Sequence, residues 1–519
     1  MLRLVALTLS LVAAVAVAQD VPKRGLRLAL PALHAEADPA GGRIVDARGR
    51  EVILRGVNVN AHADYWQYGT FPTVFPFPPE DADRIAAIGW NVVRLLVSWS
   101  RVEPAPGEYD EAYLRAVEKT IKLLAKHGVY TIVDLHQDAW GPSLAAPPGT
   151  TCTPPSAPAF GWDGAPAWAT LDGGASRCFN LLRELSPAVM ASWAAFLADA
   201  PGPGGVGIRS RYVAMLHHVA WRFGGLKSVA GWDLTNEPNA FTDVQIAQLA
   251  DLYAAAVPAI RAGEAAARKG FPHIVFFEPS AAWSDLALGN PPPFAHDGNV
   301  AFAPHIYRGG IGGGTIPYGD FARARADAAT HGNVPVLVGE WGGDPRRAAD
   351  PADVYFRQHQ AWQDEFRFSA TLWTWRESCG DPHKAGDVRA GHVPYVWGEF
   401  EVDCTTNTVT GVRQPLLDQL TRGWVRAAPG RLTAMAWDAQ TGVLVASGTG
   451  ARRKRQLVLY WPARLHGAPN VRVTGLRQVK TRPAWGGTFV LAAATGGDWS
   501  VRAAAAGTGS PSGAFVDGR

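Results

Sequence analysis

Short apolar runs alternate with longer stretches of helical period along most of the chain. The runs occupy residues 54–60, 91–97, 129–135, 229–235, 273–277, 299–304, 334–339 and 369–375. Their side chains do not alternate between apolar and polar, the pattern of strands covered on both faces. Helical periodicity fills stretches such as 111–127, 243–269 and 351–367. Eight strands with interposed helices predict a closed (β/α)8 TIM barrel over residues 41–426. An open doubly wound sheet would show a Gly-rich first turn, and none is present. Residues 43–53, with a glycine at the turn, read as a hairpin leading into the first strand.

The pattern changes near residue 427. Residues 432–437, 443–446, 456–461, 471–473, 488–491 and 499–502 read as short strands punctuated by Gly, Pro and Asn. They predict a small β-sandwich over 427–503, followed by a disordered Ala/Gly/Ser/Pro-rich tail at 504–519. Two long insertions interrupt the barrel pattern, residues 137–180 after the third strand and 377–412 after the eighth. At the other end, Arg3 precedes an apolar stretch ending in Ala16-Val17-Ala18, so residues 1–18 read as a secretory signal peptide and 19–40 as a leader. The expected location is secreted or periplasmic.

Composition narrows the picture little further. At 519 residues and 47% hydrophobic, the chain can bury a large core, and its net charge of +3 gives no reason to expect a nucleic-acid partner. The basic cluster at residues 452–455 reads as a solvated turn. Export makes the four cysteines interpretable, and Cys152/Cys178 with Cys379/Cys404 is the favoured pairing of the three connectivities possible. No CxxC or HExxH spacing occurs and the glycines at 309–314 lack a following Lys-Ser/Thr, so no metal and no cofactor is expected. Twenty tryptophans are available for packing or for stacking on sugar rings. Trp66, Trp140 and Trp283 suit loop anchors at least as well as sugar platforms.

Chemistry gathers at the strand ends. The fourth run closes on Asn236-Glu237-Pro238 and the seventh on Gly339-Glu340. About 30 residues per unit places these glutamates, about 100 residues apart, on the fourth and seventh strands of one barrel, at the rim where such folds keep their active sites. Two carboxylates facing one cleft are what cleavage of a glycosidic bond requires, one as acid and one as nucleophile. The other strand ends bring Arg94, His136, Asp138, Asn236, His305, Tyr307 and Trp373 to the same rim, with Trp375 two residues further on.

At these positions the chain resembles glycoside hydrolase family 5. The resemblance spans about residues 42–425, on Asn91-x-x-Arg94, Asp134-Leu-His136, Asn236-Glu237-Pro238, His305-x-Tyr307, Gly339-Glu340 and Trp373. Within that family it looks most like the endoglycoceramidases, on His136-Gln137-Asp138, the Gly164–Ala169 segment and a C-terminal sandwich. The resemblance implies retaining hydrolysis with Glu237 as acid/base and Glu340 as nucleophile. It places Asn236 on the sugar 2-hydroxyl and Trp373 beneath the sugar. Arg94 and Tyr307 would keep Glu340 ionised, and His136, Asp138 and His305 would position the sugar and tune the acid. Glu237 is then expected to carry a raised pKa, and the two carboxyls to lie ~5–5.5 Å apart.

The expected substrate is a β-linked glycolipid cut between glycan and lipid by a monomer in transient contact with a membrane or micelle surface. A β-glucan or β-mannan polysaccharide is the alternative. A carbohydrate-binding module with an inactive barrel fits poorly with two intact carboxylates. For a lipid substrate, the loops after strands three, seven and eight should expose apolar side chains near Glu237, and residues 141–148 could form an apolar lip or a rigid connector.

Overall fold

The computed structural model describes residues 25–311 and 318–506. The expected signal peptide, the first part of the leader and the tail beyond residue 506 lie outside them. Eight parallel strands form the barrel: β1 (Arg55–Val59), β2 (Val92–Ser98), β3 (Tyr130–His136), β4 (Val229–Asp233), β5 (Ile274–Phe277), β6 (Val300–Phe302), β7 (Leu337–Trp341) and β8 (Ser369–Leu372). Pairing runs in order from β6 back to β1 and then through β8 to β7. A parallel bridge between Phe302 and Val336 joins β6 to β7 and closes the cylinder. Every residue of β2 and β3 is buried, which is why these strands read as unbroken apolar runs.

The helices form the outer layer, and local sequence explains their starts. In the helix Glu111–Lys126, the Asp110 carboxylate accepts from the backbone of Ala112 and Tyr113, and the inward face carries Leu114, Val117, Ile121 and Leu124. The helix Asp243–Ala266 after β4 opens with a capping box between Thr242 and Gln245. Both long insertions are ordered and each is closed by a disulfide, Cys152–Cys178 and Cys379–Cys404.

The C-terminal region is a two-sheet β-structure, and its make-up departs from the sequence reading. One sheet has seven strands, in the order Leu33–Glu36, Arg43–Asp46, Glu51–Val52, Trp424–Ala428, Gln456–Trp461, Gly487–Ala494 and Leu476–Ala484. The N-terminal hairpin and a strand from the leader thus belong to this sheet. The second sheet joins Arg431–Asp438, Val443–Ala451, Gly497–Ala505 and Pro469–Thr474. Its strand Gly497–Ala505 keeps its pairing through Ala505 opposite Pro469. Two strands had no clear signal. Leu476–Ala484 is an edge strand exposed at every residue between its ends, so its Arg, Gln, Lys and Pro residues hide the apolar alternation. Trp424–Ala428 follows directly on the last barrel helix.

This β-structure docks beneath the barrel, at the N-terminal ends of its strands. Arg426 donates to the carbonyls of Gly89 (3.1 Å) and Gly128 (3.1 Å), which precede β2 and β3. Tyr460 donates to Ala87 O at 2.7 Å. The opposite rim, where the strands end in polar residues, is left open.

Candidate active site

Arg94, on β2, is the fully buried centre of the rim. Its guanidinium reaches Asn58 Oδ1 (3.0 Å), Asp233 (2.8 Å), Asn236 Oδ1 (2.9 Å), Glu278 (2.8 Å) and Glu340 (2.7 Å), and it lies 3.0 Å from Asp134. Burial opposes its charge, but the surrounding carboxylates outweigh that and hold its pKa well above the usual value. One Arg thereby ties together the ends of β1, β2, β3, β4 and β7 and the residue after β5.

Glu340 sits at the end of β7, accepting from Arg94 Nη1 and, at 2.7 Å, from the Tyr307 hydroxyl. Its pKa is raised, chiefly by burial, with His305 and Arg94 pulling the other way. Glu237 leaves β4 with φ of 38°, a sparsely populated conformation of the kind found at functional sites. Neighbouring groups hold this kink. Gln137 Nε2 donates to the carbonyls of Asn236 (2.6 Å) and Glu237 (3.1 Å), and the Glu237 N–H donates to Glu278 at 2.8 Å.

His305 stands between the two glutamates. Its Nδ1 lies 2.8 Å from Glu237 Oε1 and 3.6 Å from Glu340 Oε2, and its Nε2 lies 3.2 Å from Glu278. One carboxylate oxygen of Glu237 and one of Glu340 fall within 4.8 Å of each other. Burial disfavours a charged His305, but Glu278, Glu340 and Glu237 override it and raise its pKa well above the ordinary value. The consequence corrects an expectation. Burial raises Glu237, but the hydrogen bond and charge of His305 outweigh it and leave Glu237 lowered.

The floor of the cleft is equally connected. His136 Nδ1 contacts Asp134 at 2.7 Å, and its ring stacks on Trp373 at 5.4 Å between centroids. Asp138 accepts from Arg183 at 2.7 Å, and Arg183 lies over the Trp162 ring at 3.7 Å. Burial works against ionisation of Asp138, but Arg183 and His136 hold its pKa below the usual range. Asp163, beside this pair, is pushed up to about 7, mainly by burial. Asn236 fills the space between Arg94 and Gln137 O, to which it donates at 2.9 Å.

The structure therefore brings all nine expected site residues to one rim. Trp375 is the exception among the neighbours considered. It is buried against Phe400 at 5.1 Å and does not line the cleft. Sequence reading missed Glu278, although it directly follows β5 as Glu237 and Glu340 mark the ends of β4 and β7. It also missed Arg183, just past the insertion after β3, and Glu377, His383, Lys384 and Trp397 in the insertion after β8, which line the cleft and carry no strand-end signal.

The cleft encloses about 710 Å³ and its walls differ in character. His136, Asp138, Glu377, His383, Lys384, Trp373 and Trp397 supply polar groups and rings. Leu182, Leu185, Ala240, Phe241, Ile246, Ala281, Ala282, Leu286, Leu288 and Ile311 supply an apolar wall. Two hydrogen bonds fasten that wall beside Glu237: Ala281 N to Pro238 O (3.0 Å) and Asn239 Nδ2 to Glu184 O (2.9 Å). The apolar residues come from the loops after β3, β4, β5 and β6. The expected contributions from after β7 and β8 are absent apart from Trp397, and residues 141–148 do not line the cleft.

A (β/α)8 barrel with a carboxylate-rich cleft at the C-terminal rim is the architecture of a glycoside hydrolase. The chain belongs to glycosyl hydrolase family 5: residues 45–378 match the family described as Cellulase. It is 29% identical over 366 residues to Endoglycoceramidase I of Rhodococcus hoagii (strain 103S), a match covering 64% of this chain and 68% of that protein. A crystal structure of endogalactoceramidase shares 34% identity and superposes with a TM-score of 0.78, covering 91% of this chain and 99% of that one. Endo-glycoceramidase II from Rhodococcus sp., in its ganglioside GM3 complex, superposes with a TM-score of 0.68 over 89% of this chain and 99% of that one. At 23% identity it shows the fold alone.

Proposed function

We propose that the protein is a retaining β-glycosidase that cuts glycolipids between the glycan and the lipid aglycone. The observation that carries this reading is the mixed lining of the cleft. Polar groups and the Trp373 ring share the cleft with ten apolar residues, of which Ala240 and Phe241 follow Glu237 in the chain and Ala281 is hydrogen-bonded to Pro238. The aglycone oxygen departs next to the acid, so the acid's side of the cleft is where a hydrocarbon chain must be accommodated. Two endoglycoceramidase-type relatives support the same substrate class. The paired disulfides suit an oxidising, secreted or periplasmic setting.

In this mechanism Glu340 Oε attacks the anomeric carbon as the bond to the aglycone oxygen breaks, and Glu237 delivers the proton to that oxygen. Water then attacks the glycosyl-enzyme ester, giving its proton to Glu237 and freeing Glu340. The short distance between the two carboxylates supports direct attack, since inversion needs room for a water. Arg94 and Tyr307 donate to Glu340 and stabilise the carboxylate that attacks and later departs. The free site holds the acid's proton on His305, against Glu237 Oε1. As substrate covers the pair, that proton moves to Glu237 and onward to the leaving oxygen. Asn236, fixed by Arg94 and Gln137, meets the 2-hydroxyl, and His136, Asp138 and Trp373 hold the sugar from below.

Hydrolysis of a glycosphingolipid in detergent, compared with an aryl β-glycoside, a soluble β-glucan and a mannan, tests the assignment. Release of intact glycan and ceramide is expected. Efficient cleavage of the polysaccharides with glycolipids untouched would replace it with the polysaccharide reading.

A further inference from the structure

The C-terminal β-structure carries a charge imbalance that the whole-chain total conceals. Between residues 427 and 506 there are eleven Arg and Lys against two Asp and no Glu, a net +9. The whole chain carries +3, and +3 less +9 leaves −6 for everything outside this segment. A local excess of one sign raises the concentration of oppositely charged partners at that surface.

Part of this charge gathers at one end of the seven-stranded sheet. The turn at 452–455 is held there by Lys454 N–H donating to Ala494 O (2.8 Å) and Ala494 N–H donating to Arg455 O (2.8 Å). Gln456 pairs with Ala493, and Ala493 pairs with Arg477 on the edge strand, so Arg477 lies two strand spacings, about 10 Å, from the turn. On the other side Arg455 Nη1 donates to Gly49 O, which brings the neighbouring Arg48 to the same end. Arg48, Arg452, Arg453, Lys454 and Arg477 are all exposed, and Lys480 and Arg482 continue the exposed basic row along the edge strand. Partial burial and the charge of Arg452 push the Arg455 pKa down, with Asp46 opposing them. Asp46 is itself bound to Arg50 at 2.7 Å and Glu36 to Arg43 at 2.7 Å, while Asp498, packed on Gly475, is an exposed acid at this end. Charges on an edge strand also keep it from pairing with other chains, but that role needs neither Arg48 nor the cations of the 452–455 turn.

We propose that this end of the β-structure binds an anionic polysaccharide, one carrying sulfate, phosphate or carboxylate groups along its length. The cations form a row and do not converge on one point, so they match repeated charges on an extended chain better than a single small anion. The large rings of the β-structure, Tyr460, Trp461, Trp485, Phe489 and Trp499, are buried and offer nucleobases nothing to stack on. The β-structure docks beneath the barrel, so the barrel separates this end from the catalytic rim and a bound polymer leaves the cleft open. Binding here does not depend on which sugar or aglycone the cleft takes, and it retains the enzyme on an anionic saccharide matrix.

The probe is heparin, a sulfated polysaccharide, and binding of the full chain to a fluorescein-labelled fragment is read by anisotropy at about 50 mM and about 300 mM NaCl. Arg452→Gln/Arg453→Gln/Arg477→Gln removes three charges from the row. Arg115→Gln/Lys119→Gln/Lys126→Gln removes three exposed charges from the barrel helix Glu111–Lys126 and is the matched control. Wild type and control should bind alike and lose affinity as salt rises, and the first variant should bind about tenfold or more weakly at the lower salt. Its kcat/KM on an aryl β-glycoside should equal that of the wild type, with and without saturating heparin, which shows that it folds and that the cleft stays free. No wild-type binding at the lower salt, equal weakening in the two variants, or inhibition by heparin would overturn the proposal. Tighter binding of duplex DNA or of phosphatidylglycerol vesicles than of heparin would also overturn it and assign the row to that partner instead.

Discussion

His305 Nδ1 lies 2.8 Å from Glu237 Oε1, and the charged imidazole holds this glutamate below the pKa that burial alone would give it. The pair shares one proton, and its titration belongs to both groups. The pair loses that proton only at the raised pKa of His305. With His305→Asn, the proton must be held by a buried Glu237 alone. The alkaline limb of kcat/KM should then move to lower pH by at least about one unit, and kcat should fall roughly tenfold to hundredfold. A limb that stays put or moves upward in the pH profile on an aryl β-glycoside would remove His305 from the proton path.

Glu340→Ala should lower turnover by more than about 10⁴-fold, because the carboxylate that forms the ester is gone. Azide added to this variant can give only the inverted glycosyl azide. Glu237→Ala should lose roughly 10²- to 10⁴-fold on substrates with poor leaving groups and much less on activated aryl glycosides. Azide should rescue it with retained configuration, by attacking the glycosyl ester on Glu340. Proton NMR of the azide products distinguishes the two, and the opposite stereochemistry would exchange the roles of the glutamates.

The disulfides close loops with sequence separations of 26 and 25. Chain entropy assigns each about 3 kcal/mol, less where the loop is already packed. Cys152→Ser/Cys178→Ser should destabilise the protein toward urea by up to that amount. It should also raise KM for glycolipid more than for aryl glycoside, because the bridge adjoins the segment carrying Leu182 and Arg183. Equal KM values in wild type and variant would show that the bridge does not order the lipid side.

Much of this site is legible in the sequence, for a physical reason. A barrel strand buried on both faces carries few polar groups, so Arg94 within its run and His136, Asn236, Glu237 and Glu340 at or beyond the ends of theirs stand out. Glu278 obeys the same rule, but it follows only four strand residues and no familiar motif. What the sequence hides is assembled across distance. Arg183 reaches Asp138 from 45 residues away, across the irregular connection after β3, and nothing in its neighbours announces that contact. Of the loops expected on the lipid side, the one after β3 contributes Leu182 and Leu185, whereas the loops after β7 and β8 add only Trp397 and those after β4, β5 and β6 supply the rest, because exposure of a leucine depends on tertiary packing and not on local pattern. The N-terminal hairpin reads as an entry to the barrel because it adjoins β1 in sequence, although it pairs with Trp424–Ala428 through Glu51–Val52.

Glu399 offers a prediction outside the catalytic pair. It is fully buried, neither carboxylate oxygen has a hydrogen-bond partner among the described residues, and only the charge of Arg413 offsets the cost of ionising it. Burial accordingly pushes its pKa up to about 8, from 4.5 in the unfolded chain. The native state therefore retains a proton that the unfolded chain gives up, so this group favours folding at low pH. Its contribution is complete below pH 4.5 and declines as pH rises, until the native carboxyl itself ionises near 8. Across that window the loss is about 1.4 kcal/mol per pH unit. Glu399→Gln is neutral at every pH and keeps the shape. Its unfolding free energy relative to wild type should rise by about that slope between pH 5 and 8, whatever its offset at pH 5. Urea titrations of both proteins across this range measure the difference directly, and a pH-independent difference would mean that Glu399 is ionised in the native state.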